Sequence, residues 1–171
     1  MSKINFTAVR QNVKFPDKAT IGSVGWDLYN NSGKDIIINP GTREAIHTGI
    51  KIMEMPKGYF AQIFDKSSIA LKGVSVMGGV IDSDYRGELI VILMNHNREE
   101  KIILQNKSKV AQMILLSYLD ESSSSSSSSY PISIEYCDEK NCSITNCELQ
   151  KLNVKKTINR EANGFGSSGE F

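Results

Sequence analysis

Two aspartates, a tyrosine and an arginine lie within the stretch Gly78–Glu88, written GGVIDSDYRGE. Asp82 and Asp84 are separated by one residue, so a fully extended chain would place both side chains on the same face. A plain hairpin is built from turn formers and β-branched residues rather than from this much charge. Two interpretations therefore stay open for the stretch: a charged, solvated turn in which Arg86 offsets the aspartates, or part of a reactive site.

Small and polar residues recur at four other places in a way that is unusual for purely structural segments. A glutamine inside an apolar strand needs a hydrogen-bond partner. Glycine and serine backbones can present several N–H groups to a phosphate, and arginine can pair with a phosphate through two bonds. Each segment alone is also compatible with an ordinary turn or tail. The segments are Gly22–Asp27, Lys66–Ser68, Gln112 within Val110–Leu116, and Arg160 followed by Gly164–Gly169.

The composition is that of a single soluble globular domain. The chain has 171 residues, 23% of them charged, and a net charge of +1, which indicates neither nucleic acid nor a membrane as a partner. No apolar stretch approaches the ~20 residues of a membrane span, and the N-terminus has no secretory signal pattern. The three cysteines, Cys137, Cys142 and Cys147, are odd in number and lie outside the predicted core. They favour a reducing, intracellular compartment, without distinguishing cytoplasm from nucleus.

Short apolar runs separated by turns about every ten residues predict an all-β fold, either a sandwich or a jelly roll. Ile46–Ile52 alternates at period two, as in a half-buried strand. Leu89–Met94 is continuously apolar, which predicts a strand buried on both faces. Serines at Ser67–Leu71 allow one short helix. No long helix separates the strands, so an α/β fold fits poorly.

Composition divides the chain into three parts. Residues 1–119 form the predicted β core. Residues 120–147 contain the serine run Ser122–Ser129 and the cysteines, and we expect most of this insertion to be flexible, with a strand resuming near Tyr130–Tyr136. Residues 148–171 form a C-terminal arm that ends in a tail rich in glycine and serine.

Taken in order, the polar segments resemble the five motifs of the trimeric all-β dUTP pyrophosphatases (dUTPases). The third motif is the closest match, and the resemblance covers the chain except the serine and cysteine segment. It implies a distorted jelly-roll or β-clip sandwich, assembled as a homotrimer with sites shared between subunits. It also implies Mg²⁺-assisted hydrolysis of dUTP to dUMP and pyrophosphate. The motifs are Gly22–Leu28, Asp65–Lys72, Gly79–Glu88, Lys109–Ile114 and Arg160–Gly169.

At the nucleoside, the resemblance implies that Asp82 orients and deprotonates the water that attacks the α-phosphorus. Tyr85 would pack under the deoxyribose, where a ribose 2′-hydroxyl would have to go. Backbone groups of the segment from Val76 to Gly79 would read the uracil edge. To Asp84 and Arg86 we assign a structural role instead, that of holding the turn.

At the triphosphate, the resemblance implies contacts from Lys66, Ser67, Ser68 and Gln112, with Asp27 reaching Mg²⁺ through a water. The tail would close over the bound nucleotide and expel water. Phe165 would stack on the uracil, and the other tail contacts would come from Arg160, Gly166, Ser167 and Ser168.

The chain departs from the family pattern where it has Lys66 in place of arginine, Lys107-Ser108-Lys109 in place of Gly-Asp-Arg, and Glu161 and Asn163 in place of glycines. Three other interpretations stay open. The first is a dCTP deaminase, which shares the fold and trimer but lacks the tail motif. The second is a protein that uses residues 121–147 to bind another protein, and the third is a purely structural β protein.

Overall fold

The structure, a computed structural model, describes residues 2–118 and 132–137. Within these ranges the chain forms eleven strands and one short helix, which confirms the predicted all-β class. The strands are β1 (Ser2–Ala8), β2 (Trp26–Tyr29), β3 (Ile36–Ile38), β4 (Arg43–Glu54), β5 (Tyr59–Phe64), β6 (Val74–Met77), β7 (Val80–Ile81), β8 (Glu88–Asn95), β9 (Ile102–Leu104), β10 (Lys109–Ser117) and β11 (Ile132–Cys137). The helix, α1, is a single turn over Ser67–Ala70, where the serines had predicted it.

Two larger sheets enclose the core. One has five strands in the order β11-β1-β4-β8-β6, and the other has four strands in the order β2-β10-β5-β7. Buried side chains from both sheets form one apolar cluster, which includes Phe6, Ile52, Leu28, Ile63 and Met113. A small pair, β3-β9, stands beside them. Because each strand exposes its alternate residues on the other face, the sheets carry polar and apolar groups outward as well.

The prediction that Leu89–Met94 is buried on both faces is wrong. In β8 the side chains of Leu89, Val91 and Leu93 are buried, while Ile90 and Ile92 are only half-buried. The strand lies between β4 and β6 in an antiparallel arrangement, and only one of its faces meets the core. Antiparallel sheets can leave one face open even where the sequence is apolar throughout.

Part of the predicted insertion has regular structure. Within residues 120–147, Ile132–Cys137 forms β11, which pairs in parallel with β1. The remaining residues of the insertion and the C-terminal arm lie outside the described residues. Among residues 2–118 and 132–137, no helix has the length and apolar character needed to cross a membrane.

Candidate active site

A cluster of charges surrounds Asp27 on strand β2. Its Oδ1 lies 3.0 Å from the ammonium of Lys66, at the start of α1, and its Oδ2 lies 2.6 Å from the ammonium of Lys109, on β10. The Asp27 side chain is 7% exposed, so both ammonium groups cover a carboxylate that is nearly out of solvent. The first, second and fourth motifs therefore meet at one aspartate.

The two lysines keep Asp27 ionised. Burial by itself raises the pKa of a carboxyl group, but the hydrogen bonds and charges of Lys109 and Lys66 outweigh it and lower the pKa of Asp27 below its usual range. The same contact with Asp27 raises the pKa of Lys109. The Asp27 carboxylate thus forms ion pairs with two lysines at once.

Gln112 stands directly opposite Asp27 in the β10–β2 pairing. Its side-chain amide donates to the carbonyl oxygen of Asp65, 2.9 Å away, which satisfies the polar group that the sequence placed inside an apolar strand. A Cβ atom on Gly25 would lie 2.6 Å from Oε1 of Gln112. The first motif therefore needs a glycine at this position because the glutamine occupies the space a side chain would take.

Asp65 also engages the segment predicted to read the base. One of its carboxylate oxygens accepts a hydrogen bond from the backbone N–H of Val76, at 2.5 Å. This N–H is therefore already paired within the chain. Ser67 and Ser68, the other predicted phosphate contacts, are exposed in the single turn of α1 beside Lys66.

The departures from the family pattern in the fourth motif have a structural explanation. Lys107 adopts a φ of +65°, a left-handed conformation that favours glycine, at the position where glycine is usual. Its ammonium contacts the carbonyl oxygen of Asn12 and lies 2.8 Å from Oδ1 of Asn31. These contacts tie the loop to the N-terminal segment, and burial lowers the pKa of Lys107. Lys107 is thus a structural residue, whereas Lys109 belongs to the charge cluster.

The third motif forms a separate group at the turn between β7 and β8. The hydroxyl of Tyr85 donates to the backbone oxygen of Glu88, at 2.9 Å. The ring lies over Gly87, where a Cβ atom would be 2.4 Å from the tyrosine oxygen. Arg86 donates to the carbonyl oxygens of Ser83 and Tyr85, at 2.8 and 2.9 Å, the geometry of a residue that holds the turn. Asp82 is half-buried at the start of this turn.

Gly79 connects this turn to the four-stranded sheet. It has a φ of +102°, and a Cβ atom at this position would be 2.7 Å from the carbonyl oxygen of Ile63. Its own carbonyl oxygen accepts the N–H of Ile63, at 2.8 Å. The close approach of two backbones requires a glycine here, whatever the segment binds.

Strand register separates the two groups within one chain. Asp27 pairs with Gln112, which pairs with Phe64, and these residues lie at one level of the sheet. Strand β7 pairs antiparallel with β5. Asp82, which directly follows β7, therefore lies near the position opposite Phe60, four residues along β5 from Phe64. Ideal sheet spacings, about 4.8 Å between strands and about 3.3 Å per residue along them, put the Cα atoms of Asp82 and Asp27 roughly 20 Å apart. This is too far for both residues of one chain to act on the same phosphate.

The predicted contact of Asp27 with Mg²⁺ through a water stays a prediction, because such an ion would be held mainly by the phosphates of the nucleotide and by waters. Both oxygens of Asp27 face ammonium groups, and among the residues that the structure describes there is no group of three potential metal ligands. In this arrangement Asp27 binds the ammonium groups of Lys66 and Lys109.

Five predicted contacts lie outside the described residues: Arg160, Phe165, Gly166, Ser167 and Ser168. The same applies to the predicted partner segment 121–147, apart from strand β11. These assignments stay predictions.

Several residues of the site were not singled out from sequence. Lys109 departs from the family pattern in sequence, but no sequence pattern indicates that it contacts Asp27. Asp65 lies in the second motif, and no sequence pattern indicates its hydrogen bond with the N–H of Val76. Glu88 accepts hydrogen bonds from Arg10, which is 78 residues away, and no short-range pattern could have revealed this pair. The one sequence feature that drew attention to Glu88 is its position at the end of the third motif.

Known protein families and similar proteins support the resemblance to the dUTPases. The dUTPase family profile matches residues 11–133, which span the charge cluster and the third-motif turn. The chain belongs to the dUTPase family. The prediction of the family and of a hydrolase is thereby confirmed.

Similar proteins include the deoxyuridine 5′-triphosphate nucleotidohydrolases of cowpox virus and monkeypox virus. They are 33% and 39% identical over 168 residues, which cover 98% of this chain and 94% and 91% of those proteins. The corresponding protein of Ehrlichia canis is 43% identical over 107 residues, covering 61% of this chain and 69% of that protein. The poxvirus alignments extend well beyond the family match, into the C-terminal arm.

Two solved structures illustrate the fold similarity. The native dUTPase of EIAV is 27% identical with a TM-score of 0.60, covering 75% of this chain and 99% of that chain. A mutant dUTPase from phage phi11 of S. aureus, whose structure reveals a coordinated structural Mg(II) ion, is 14% identical with a TM-score of 0.62. It covers 73% of this chain and 97% of that chain. The similarity supports the β-sandwich architecture described above.

Proposed function

We propose that this protein hydrolyses dUTP to dUMP and pyrophosphate. Membership of the dUTPase family carries most weight, and the Asp27 cluster gives it a physical basis. Lys66 and Lys109 place two cations beside an exposed serine turn, which suits a polyanionic ligand. The lysines are 25% and 35% exposed in their side chains, so they remain accessible to a phosphate while Asp27 holds them.

In the proposed reaction a water attacks the α-phosphorus and gives a proton to Asp82. The new bond joins that water oxygen to phosphorus, and the bond from phosphorus to the bridging oxygen of the β-phosphate breaks. Pyrophosphate leaves with the electron pair. Lys66 and Lys109 stabilise the negative charge that develops on the phosphates, and Gln112 holds a phosphate oxygen. Tyr85 closes the sugar side of the pocket against a 2′-hydroxyl.

A direct test measures pyrophosphate release from dUTP by the purified protein with Mg²⁺. The Asp82→Asn variant should lose about 10²- to 10⁴-fold in kcat, the range that a general base contributes. Asp84→Asn provides the matched control, because Asp84 is exposed in the same turn and is assigned to its architecture. Undiminished turnover by Asp82→Asn would contradict the assignment of the base. Ammonia release from dCTP would instead favour a deaminase.

We further propose a homotrimer in which Asp82 and Tyr85 of one subunit serve the Asp27 cluster of another. The distance of roughly 20 Å within one chain supports this arrangement, since a base must reach its water through a hydrogen bond. An apolar sheet face on the four-stranded sheet supports it as well. This face consists of the outward side chains of Phe60, Phe64, Val80 and Leu116, of which the last three are 39%, 60% and 36% exposed.

The apolar sheet face lies next to Gln112 in the register of β10 and β5, so a neighbouring copy seated on it would adjoin the Asp27 cluster. Leu116→Glu should therefore lower the oligomeric state, measured by light scattering, and reduce turnover with it. Ile103→Glu makes the same change at a side chain that is 49% exposed on the separate β3–β9 pair, and serves as the control. A fully active wild-type monomer would contradict both the trimer and the shared site.

A further inference from the structure

The carboxylate of Glu88 joins three separate parts of the chain. Its Oε1 accepts hydrogen bonds from Arg10 at 2.8 Å and from the backbone N–H of Gly49 at 2.7 Å. Its Oε2 lies 2.9 Å from Arg10 and 2.9 Å from Nδ1 of His47. The Glu88 side chain is 17% exposed, so these contacts largely replace water around it. Four contacts on one half-buried carboxylate give a tight anchor.

An irregular segment of strand β4 binds the Glu88 carboxylate. The pairing of β4 with β8 shifts register between His47 and Lys51, which marks an irregularity in the strand. Gly49 lies within it at a φ of +67°, where a Cβ atom would be 2.9 Å from the Val13 side chain. The irregularity turns the N–H of Gly49 towards Glu88, while the carbonyl oxygen of Gly49 accepts the N–H of Val9 at 2.8 Å.

The backbone of Glu88 contacts the side chain of Tyr85. The tyrosine hydroxyl donates to the Glu88 carbonyl oxygen, and the ring rests on Gly87. Burial, followed by the nearby charge of Glu88, raises the pKa of Tyr85. The backbone position of Glu88 thus fixes one end of the Tyr85 ring, and the carboxylate fixes the backbone position of Glu88.

We propose that Glu88 is a positioning residue that sets the discrimination between deoxyribose and ribose. Through Arg10 and the irregular segment at Gly49, it holds the third-motif turn so that Tyr85 closes the space of a 2′-hydroxyl. This inference rests on the proposed function, which assigns Tyr85 to the sugar. A site that rejects a bulkier sugar by contact depends on the exact placement of the contacting ring, because small displacements open space for the extra atom.

The test compares kcat/KM for dUTP and for UTP in the full-length wild type and in three variants. Glu88→Gln removes the charge and replaces one acceptor by a donor that faces Arg10 and His47. Arg10→Met removes the principal partner far from Tyr85 in sequence. Glu54→Gln is the control, since Glu54 is an exposed carboxylate of β4 that accepts a hydrogen bond from Asn5 at 2.9 Å.

We expect the dUTP-to-UTP ratio of kcat/KM to fall about 10-fold in Glu88→Gln and in Arg10→Met, and to stay unchanged in Glu54→Gln. This fall in the ratio should come mainly from a lower KM for UTP and not from a lower kcat for dUTP. A second readout uses ¹³Cζ-labelled tyrosine and NMR: ionisation of Tyr85 should begin at lower pH in Glu88→Gln than in wild type. A merely structural role would lower kcat for both nucleotides together.

An unchanged ratio in both folded variants would overturn the proposal, as would an unchanged Tyr85 titration in Glu88→Gln. If Glu88→Gln does not fold, Arg10→Met decides by the same ratio. If the wild type hydrolyses neither nucleotide, the proposed function fails, and the NMR titration still decides whether Glu88 controls the surroundings of Tyr85.

Discussion

The Asp27 cluster and the third-motif turn position their side chains by different means. In the cluster, one buried carboxylate holds two lysines whose ammonium groups remain accessible. In the turn, one carboxylate holds the backbone, and the backbone holds an aromatic ring. The first arrangement presents two partly exposed positive charges, which suit a triphosphate. The second presents a fixed surface, which suits a sugar.

Each region also contains a glycine that makes room for its key side chain. Gly25 gives space to Gln112, and Gly87 gives space to the Tyr85 ring. Substitution of either glycine by alanine would therefore displace a neighbouring side chain. At Gly25 this happens at the phosphate end of the proposed ligand, and at Gly87 it happens at the sugar end.

The largest effect on folding should come from Gly79→Ala, at the junction between the sheet and the third-motif turn. The change combines an unfavourable φ with a contact of 2.7 Å to the Ile63 carbonyl oxygen. We expect a loss of roughly 1–3 kcal/mol in the free energy of unfolding, measured by urea denaturation. Gly22→Ala is the control, because nothing lies within 4 Å of its Cβ position. Equal stability of the two variants would contradict the close backbone approach.

Gly25→Ala and Gly87→Ala should separate the functions of the two regions. Gly25→Ala should lower kcat/KM for dUTP and UTP alike, by about 10-fold, because displacement of Gln112 affects phosphate contacts that both nucleotides share. Gly87→Ala should instead lower the dUTP-to-UTP ratio by about 10-fold, because it displaces Tyr85. The measurement is steady-state kinetics on both nucleotides. If either variant showed the other's pattern, the division into a phosphate region and a sugar region would be wrong.

Asp27→Asn should change how stability depends on pH. The pKa of Asp27 in the folded protein lies below its value of 3.8 in the unfolded chain, so its contribution is fully present above that value and is lost as pH falls through the folded pKa. The wild type should therefore lose more stability than the variant between pH 7 and pH 3. The expected difference is roughly 1 kcal/mol because the lysines are partly exposed. Parallel losses in urea denaturation at the two pH values would contradict the charge cluster.

The smallest effect concerns the metal. Because two lysines neutralise Asp27, we expect the protein without nucleotide to bind Mg²⁺ more weakly than a free triphosphate does, as measured by calorimetry. Turnover of dUTP should still fall when Mg²⁺ is removed with a chelator, because Mg²⁺ is bound largely by substrate phosphates and waters. Strong Mg²⁺ binding by the protein alone would show that Asp27 can release its lysines to a metal.

Local sequence predicted much of the fold but little of the charge pairing. Period-two alternation located β4, and clustered serines located α1, because both signals depend on near neighbours. The burial of β8 was predicted wrongly, since an apolar run does not reveal which of its faces meets the core. Motif order predicted that Asp27, Lys66 and Gln112 would meet. The lysine pair on Asp27 arises from the register of β2 with β10 and the position of α1, which no local pattern encodes.

The third-motif turn shows the same limit. Its residues were recognised from their types and order, but their support comes from Arg10 and Gly49, which precede them by many positions. The spacing of Asp82 and Asp84 suggested a pair on one face. In the structure the chain turns between them, with the Tyr85 N–H donating to the Asp82 carbonyl oxygen at 3.1 Å. A turn changes side-chain direction in a way that strand periodicity cannot describe.

Complementation between two inactive variants tests the shared site most directly. One variant carries Asp82→Asn, and the other carries Lys66→Met with Gln112→Ala; each should be inactive alone. When the two chains are mixed, unfolded and refolded together, random trimers should recover about a quarter of the wild-type sites, because such a site takes Asp82 from one chain and Lys66 and Gln112 from another. Recovery of pyrophosphate release near that level is the predicted result. No recovery in mixed oligomers would place all three residues in the site of one chain and contradict the account.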